Sequence, residues 1–215
     1  MRWASDITYN STQMKLLLAS QSPRRIELLR NAGFDFEVIS SDVEEGPPIP
    51  GELPEEYARR AARAKALRVA ARSPSGSLVL GADTIVAIGG LILGKPSGPF
   101  DATRVLRLLS GQTHEVITAI CLARSPDQIE ALKHETTFVT FRELDEDEIR
   151  AYVASHEPFD KAGAYAIQGL ASKFVRRISG CYFNVVGLPV PLLYEVLKTL
   201  PPKPGADSWT KCHEQ

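Results

Sequence analysis

A repeated switch between short apolar strands and helices, with polar clusters at the junctions, constrains this chain most. KLLLAS reads as a strand over residues 15–20, and Ser22-Pro23 starts a helix directly after it. Serine suits an N-cap and proline the first helical position. This helix covers 23–32, with Gly33 just past its end. FEVIS makes a second strand near 36–40. The loop SDVEEGPPIPGELP then leads to a long Ala/Arg/Lys helix, opened by Pro54 and running to about residue 71. SLVLGADTIVAIGG reads as a buried strand broken by a polar GADT, and LILGKP continues it briefly after Gly89-Gly90. FDATRVLRLLS is an amphipathic helix ended by Gly111.

The second half begins with two longer strands, in HEVITAICLA and TTFVTF, around the polar turn RSPDQ. LDEDEIRAYVAS has an acidic first turn and helical apolar spacing. HEPFDKAGAYA, IQG, KFVRRI, a turn at SGC and YFNVV follow, and LPVPLLYEVLKTL is a final helix. The fold class expected is α/β, a mixed sheet with helices on its faces and polar insertions at strand ends, where such sheets bind ligands. Residues 1–14 read as an N-terminal extension and 200–215 as a flexible tail.

Lys plus Arg number 25 against 26 Asp plus Glu, a formal net charge of -1. A nucleic-acid binder should carry a basic excess, so none is expected as a partner. Apolar runs such as VITAICLA are too short for a membrane span, and no hydrophobic signal segment opens the chain. Cysteines at 121, 181 and 212 show neither a disulfide framework nor metal-ligand spacing, which favours a reducing cytoplasm. The histidines, at 114, 134, 156 and 213, form no metal-spaced set; His114, where a strand begins, reads as structural.

Five clusters interrupt this pattern. In Ser22-Pro23-Arg24-Arg25 two arginines stand at the positive end of a helix, where cations are unfavourable. Either they face solvent or pair with Glu27, or they bind phosphate together with the helix-end amides. Asp42-Val43-Glu44-Glu45 is either a solvated acidic loop or a source of one carboxylate for a hard cation. Lys65 lies among many basic residues of its helix. In Gly81-Ala82-Asp83-Thr84 the acid must be solvated at a strand end or satisfied by a partner, and there it could bind metal or orient water. Lys95 follows the Gly89-Gly90 turn. Asp160-Lys161-Ala162-Gly163-Ala164-Tyr165 precedes Gln168-Gly169, whose amide could read a base edge. No P-loop, dinucleotide fingerprint or serine-hydrolase elbow occurs. Basic groups beside carboxylates suit attack by water on a phosphoryl group.

ASQSPRR, VEE, GADTIV, GKP, LSGQTHEVIT, DKAGAYAIQG and NVVGLP, in this order over residues 15 to 199, resemble the Maf family of nucleoside triphosphate pyrophosphatases. The resemblance implies a single catalytic domain over 15–199, with a central twisted sheet, two lobes and a nucleotide cleft, similar to inosine triphosphate pyrophosphatases. It also implies a cytoplasmic enzyme, as in the family often a homodimer, that releases pyrophosphate with a divalent cation, Mg²⁺ or Mn²⁺. On the same resemblance Asp83 is the proton acceptor, and Arg25, Lys65 and Lys95 are the catalytic basic groups. Ser22, Arg24 and Arg25 bind phosphate, while Glu45, with Glu44 as its neighbour, joins Asp83 at the metal. Arg24, Thr84 and Gln168 match the positions that track base preference, in the combination of the dTTP and UTP subgroup. Ala166 and Ala171-Ser172 depart from the family's more glycine-rich pattern beside Gln168. Two other classes stay open: a nucleotide-binding regulator of division or septum formation with weak hydrolysis, and, less favoured by charge, a nucleic-acid binder.

Overall fold

The computed structural model describes residues 16–200. The N-terminal extension, residues 201–215 of the tail, Cys212 and His213 lie outside them. Seven strands form one mixed sheet: β1 (Leu16–Leu18), β2 (Phe36–Val38), β3 (Leu78–Ile88), β4 (Leu91–Leu93), β5 (Thr113–Arg124), β6 (Gln128–Phe141) and β7 (Val175–Ser179). Their order is β2-β1-β3-β5-β6-β7, with β4 also on β3. β2, β1 and β3 run parallel, joined by helical crossovers, whereas β3, β5, β6 and β7 form antiparallel pairs.

Alternation along β3 sends residues to opposite faces. Val79 and Ile85 pack under α2 (Pro54–Ala70), in a cluster with Ala58, Ala62, Ala66 and Val69 of that helix. Leu80, Ala82 and Val86 face the larger core on the other side. That core is closed by α1 (Pro23–Asn31), α3 (Pro99–Leu109), α4 (Glu146–Ala154), α5 (Tyr182–Val186) and α6 (Val190–Thr199). Both faces of β3 are therefore buried, which is why its sequence reads as a nearly continuous apolar run.

The expected break of this strand at GADT does not occur. β3 pairs with β5 without interruption from Leu78 to Ala87, because the two polar side chains find partners inside the protein. YFNVV is the short helix α5, and KFVRRI divides between a 3₁₀ turn ending at Phe174 and strand β7. Among the described residues no helix is long and apolar enough to cross a membrane.

Candidate active site

β1 accompanies β3 only as far as Leu80, and β4 joins it from Val86 onward. Between them Gly81–Ile85 pair with β5 alone, so the middle of the strand opens onto a gap. Asp83 and Thr84, successive in sequence, project to opposite faces at that gap. The parallel strands end beside it, so the start of α1 and the loop after β2 converge there.

On one face α2 approaches β3 with almost no space between. A Cβ at Gly81 would lie 2.3 Å from the Ala62 carbonyl oxygen and 2.7 Å from the Ala66 nitrogen. This contact lets Lys65 reach across, with Nζ 2.7 Å from Asp83 Oδ1, and Glu45 pairs with the same ammonium. Asp83 is 3% exposed and its Oδ2 has no hydrogen-bond partner. Burial raises its pKa above the ordinary carboxylate value; Lys65 and Arg25 oppose that and the Glu45 charge adds to it. Burial acts on Glu45 in the same sense, but the charge and hydrogen bond of Lys65 prevail, with help from Asp83 and Lys95, and Glu45 is held below its usual value. The two carboxylates thus have proton affinities pushed apart, as a pair needs when one is to accept a proton and the other to stay charged.

On the other face Arg25 enters from the first turn of α1. Its Nε donates to the Gly187 carbonyl (2.9 Å), Nη1 to Ser20 Oγ (3.2 Å) and Nη2 to Thr84 Oγ1 (3.0 Å). Gly187 turns at φ 132°, a backbone region favourable only to glycine. Burial lowers the Arg25 pKa, and the carboxylates of Asp83 and Glu45 counter it. The guanidinium therefore does not pair with Glu27. Ser22 is the N-cap of α1, yet its side chain makes no capping bond; its backbone N–H donates instead to Ser20 Oγ (3.2 Å).

These groups line one cavity of about 380 Å³. Ser22, Arg24 and Arg25 enter from α1, Glu45 from the loop after β2 and Lys65 from α2. Asp83 and Thr84 come from β3, Lys95 from the segment after β4, and Gln168 from the loop after the DKAGAY stretch. Every site residue expected from sequence is brought together, while the neighbouring Glu44 lies outside the lining. Ser20, Asp160, Lys161 and Tyr165 also line the cavity and were not assigned roles. The charges within DKAG were the available signal, but its glycines explain a turn equally well. Lys161 Nζ is held by the Glu157 carbonyl (3.0 Å) and Asp160 Oδ1 (2.5 Å). As expected, His114 is structural: it is buried at the start of β5, with Nε2 2.8 Å from the Tyr165 hydroxyl.

Residues 15–200 match the family described as Maf-like protein. The chain belongs to the Maf family. Among Maf relatives, a protein of Ruminiclostridium cellulolyticum named dTTP/UTP pyrophosphatase is 49% identical over 185 residues, covering 86% of this chain and 95% of its own length. Proteins of the same name from Geobacter sulfurreducens and Aquifex aeolicus are 50% and 46% identical, covering 86% and 87% of this chain and 96% of each relative. Among solved structures, a HAM1 protein from Coxiella burnetii aligns with a TM-score of 0.48 at 17% identity, over 86% of this chain and 99% of that one. The family match spans the whole sheet and every cavity residue named above.

Proposed function

We propose that this Maf protein hydrolyses dTTP and UTP to the nucleoside monophosphate and pyrophosphate. The observation that carries the reading is Asp83, a buried carboxylate with raised proton affinity, one oxygen on Lys65 and the other without a partner. Water attacks the α-phosphorus and Asp83 Oδ2 takes its proton. A bond forms between water oxygen and Pα, the Pα–O bond to the β-phosphate breaks, and pyrophosphate leaves with the bonding electrons. Arg25, Lys65 and Lys95 neutralise charge on the phosphates and on the leaving group. Relatives at about half identity that carry the dTTP/UTP pyrophosphatase name support the choice of nucleotide. Arg24, Thr84 and Gln168 are the side chains proposed to set it.

The donor set also suits a divalent cation. Asp83 Oδ2 is orphaned and Glu45 stands on the same lysine, and Mg²⁺ commonly takes one or two carboxylates plus substrate phosphate oxygens. Among the described residues no cluster of three or more His, Cys, Asp or Glu side chains could hold such an ion by itself. Glu45 and Asp83 would hold Mg²⁺ or Mn²⁺ together with the nucleotide, and the cation would supply further neutralisation of phosphate charge. The proposal extends to a homodimer in the cytoplasm. The free thiols of Cys121 and Cys181 suit a reducing compartment, and sedimentation of the purified chain tests the dimer.

Pyrophosphate release from dTTP, UTP, CTP, 7-methyl-GTP, ATP and GTP, each with and without Mg²⁺ or Mn²⁺, tests the reading. Turnover led by dTTP and UTP and dependent on metal is expected. Another leading nucleotide overturns the specificity, and saturable binding without product favours a regulator.

A further inference from the structure

Thr118, in the middle of β5, is fully buried and lies outside the cavity lining. It stands opposite Thr84 in the β3–β5 register, and their hydroxyl oxygens are 2.9 Å apart. The direction of that hydrogen bond follows from proton counting. A hydroxyl has one proton to donate. Thr118 donates its own to the Asn184 carbonyl at 3.1 Å. Thr84 Oγ1 reaches two acceptors, Thr118 Oγ1 at 2.9 Å and the Gly187 carbonyl at 3.3 Å, and with the Thr118 proton on Asn184 the shorter contact takes the Thr84 proton. Thr84 Oγ1 is then left to accept from Arg25 Nη2 at 3.0 Å. The hydrogens run one way, from the Arg25 guanidinium through Thr84 and Thr118 to a main-chain carbonyl of α5.

The far end of this chain is anchored. Asn184 is fully buried, and its Nδ2 donates to the Val116 carbonyl (2.8 Å) and to Thr137 Oγ1 (2.9 Å), on β5 and β6. Thr137 Oγ1 also accepts from the Cys181 N–H (3.0 Å) and donates to the Cys181 carbonyl (3.2 Å), so its capacity is filled. The short helix α5 is thereby tied to two central strands. Its C-terminal neighbour Gly187 offers the carbonyl that holds Arg25 Nε. Two of the three contacts of Arg25, those with Gly187 and Thr84, lead to the segment that Asn184 fixes; the third is with Ser20.

We propose that Thr118 and Asn184 are positioning residues for phosphate binding: through Thr84 and Gly187 they fix the Arg25 guanidinium so that its free N–H donors face the phosphate chain. A guanidinium has five N–H donors. Gly187, Ser20 and Thr84 take three, leaving one on each terminal nitrogen, a fork suited to phosphate oxygens. Hydrogen bonds aligned head to tail polarise one another, so the chain stiffens the cation more than separate contacts would. Both acceptors that the Thr84 hydroxyl reaches, Thr118 Oγ1 and the Gly187 carbonyl, belong to the protein, so its one proton is used inside the fold. Through that hydroxyl Thr84 also holds Arg25, which meets the phosphates that every nucleoside triphosphate shares.

This inference rests on the proposed triphosphate reaction, and its test separates the two. Thr118→Val keeps the shape and removes the donor; Thr118→Ser keeps the donor. The expected result is that T118V lowers kcat/KM about tenfold, the loss of roughly one buried hydrogen bond's worth of positioning. It does so by the same factor for dTTP, UTP and CTP, while T118S stays within about twofold of the parent chain. Binding of inorganic tripolyphosphate, followed by calorimetry, should weaken in T118V in parallel. Should T118V not fold, Thr118→Cys, whose thiol is a poor donor, carries the same comparison. Unchanged kinetics and binding in the donor-poor variant would overturn the proposal, as would a factor that differs between bases. If the parent chain hydrolyses no nucleotide, the reaction is wrong, and the tripolyphosphate titration still decides the role of Thr118.

Discussion

Lys65 Nζ lies 2.7 Å from Asp83 Oδ1, with 11% and 5% of the two side chains exposed. A pair this shielded adds little net stability, because desolvation offsets its attraction, but removing one partner strands a buried charge. Lys65→Ala should therefore lower stability by about 3–5 kcal/mol. The double variant with Asp83→Ala should recover much of that loss. Urea denaturation of the three chains measures it, and equal loss in single and double variants would contradict a stranded carboxylate.

Gly81 permits that pair to form. A methyl group there would strike the backbone of α2, and no side-chain rotation relieves the contact. Gly81→Ala should move Lys65 away from Asp83. Pyrophosphate release should fall on the order of a hundredfold in protein that keeps its circular dichroism, the scale on which misplacing catalytic groups by about 1 Å acts. Parent-like turnover would show that α2 adjusts without disturbing the pair.

Asp83 must be ionised to accept a proton, so activity should fall as pH drops through its raised pKa, above the ordinary value of 3.8. Glu45 contributes to that elevation through like charge and also shares Lys65. Glu45→Gln removes the repulsion and leaves Lys65 to Asp83 alone; both changes favour the carboxylate. The acid limb of kcat/KM against pH should move to lower pH in this variant. An upward shift would rule out Asp83 as the titrating group.

Glu157 fixes the loop that carries Gln168. Its carboxylate accepts from the Tyr152 hydroxyl and from the Leu170 N–H, each at 3.0 Å. A Cβ on Gly169 would lie 2.2 Å from one of its oxygens. Glu157→Ala should leave the chemistry in place while loosening Gln168. The dTTP-to-CTP ratio of kcat/KM should drop about tenfold, within the range a single pocket contact controls. A uniform loss on both nucleotides would place the effect elsewhere.

His114 is 1% exposed, and burial pushes its pKa down to about 4 from 6.5. The unfolded chain binds this proton more readily, so the neutral histidine contributes stability in full above about pH 6.5, and that contribution is lost as pH falls towards 4. The loss amounts to about 3 kcal/mol at most. Melting temperature measured across this interval should decline, and His114→Gln should flatten the decline.

Much of the site was legible before the fold. Polar residues in SPRR, GADT and DKAG interrupt the apolar pattern, although a solvated helix start, a solvated strand end and glycine turns account for them equally well. Lys65 did not stand out, since nothing in RRAARAKALRVA separates one base from its neighbours; only the approach of α2 at Gly81 selects it. GADT misled as to strand continuity, because a sequence cannot show that Asp83 will meet an ammonium or that Thr84 will meet Thr118. Thr118 carries no sequence signal for the same reason, its partners being Thr84 across the sheet and the Asn184 carbonyl of α5. Ser20 and Lys161 bond to near neighbours in the chain, and only the closing of the cavity around them gives them a place in the site.

The sequence by itself determined the alternation of strands and helices, the start of α1 and the types of groups available, since these depend on local propensity and side-chain chemistry. Tertiary structure alone decided which charges meet, which oxygen of Asp83 stays free and which acceptors the Thr84 and Thr118 hydroxyls reach. Those outcomes depend on distances of a few ångströms between residues far apart in the chain, and on burial, which turns such contacts into shifted proton affinities and fixed hydrogen bonds.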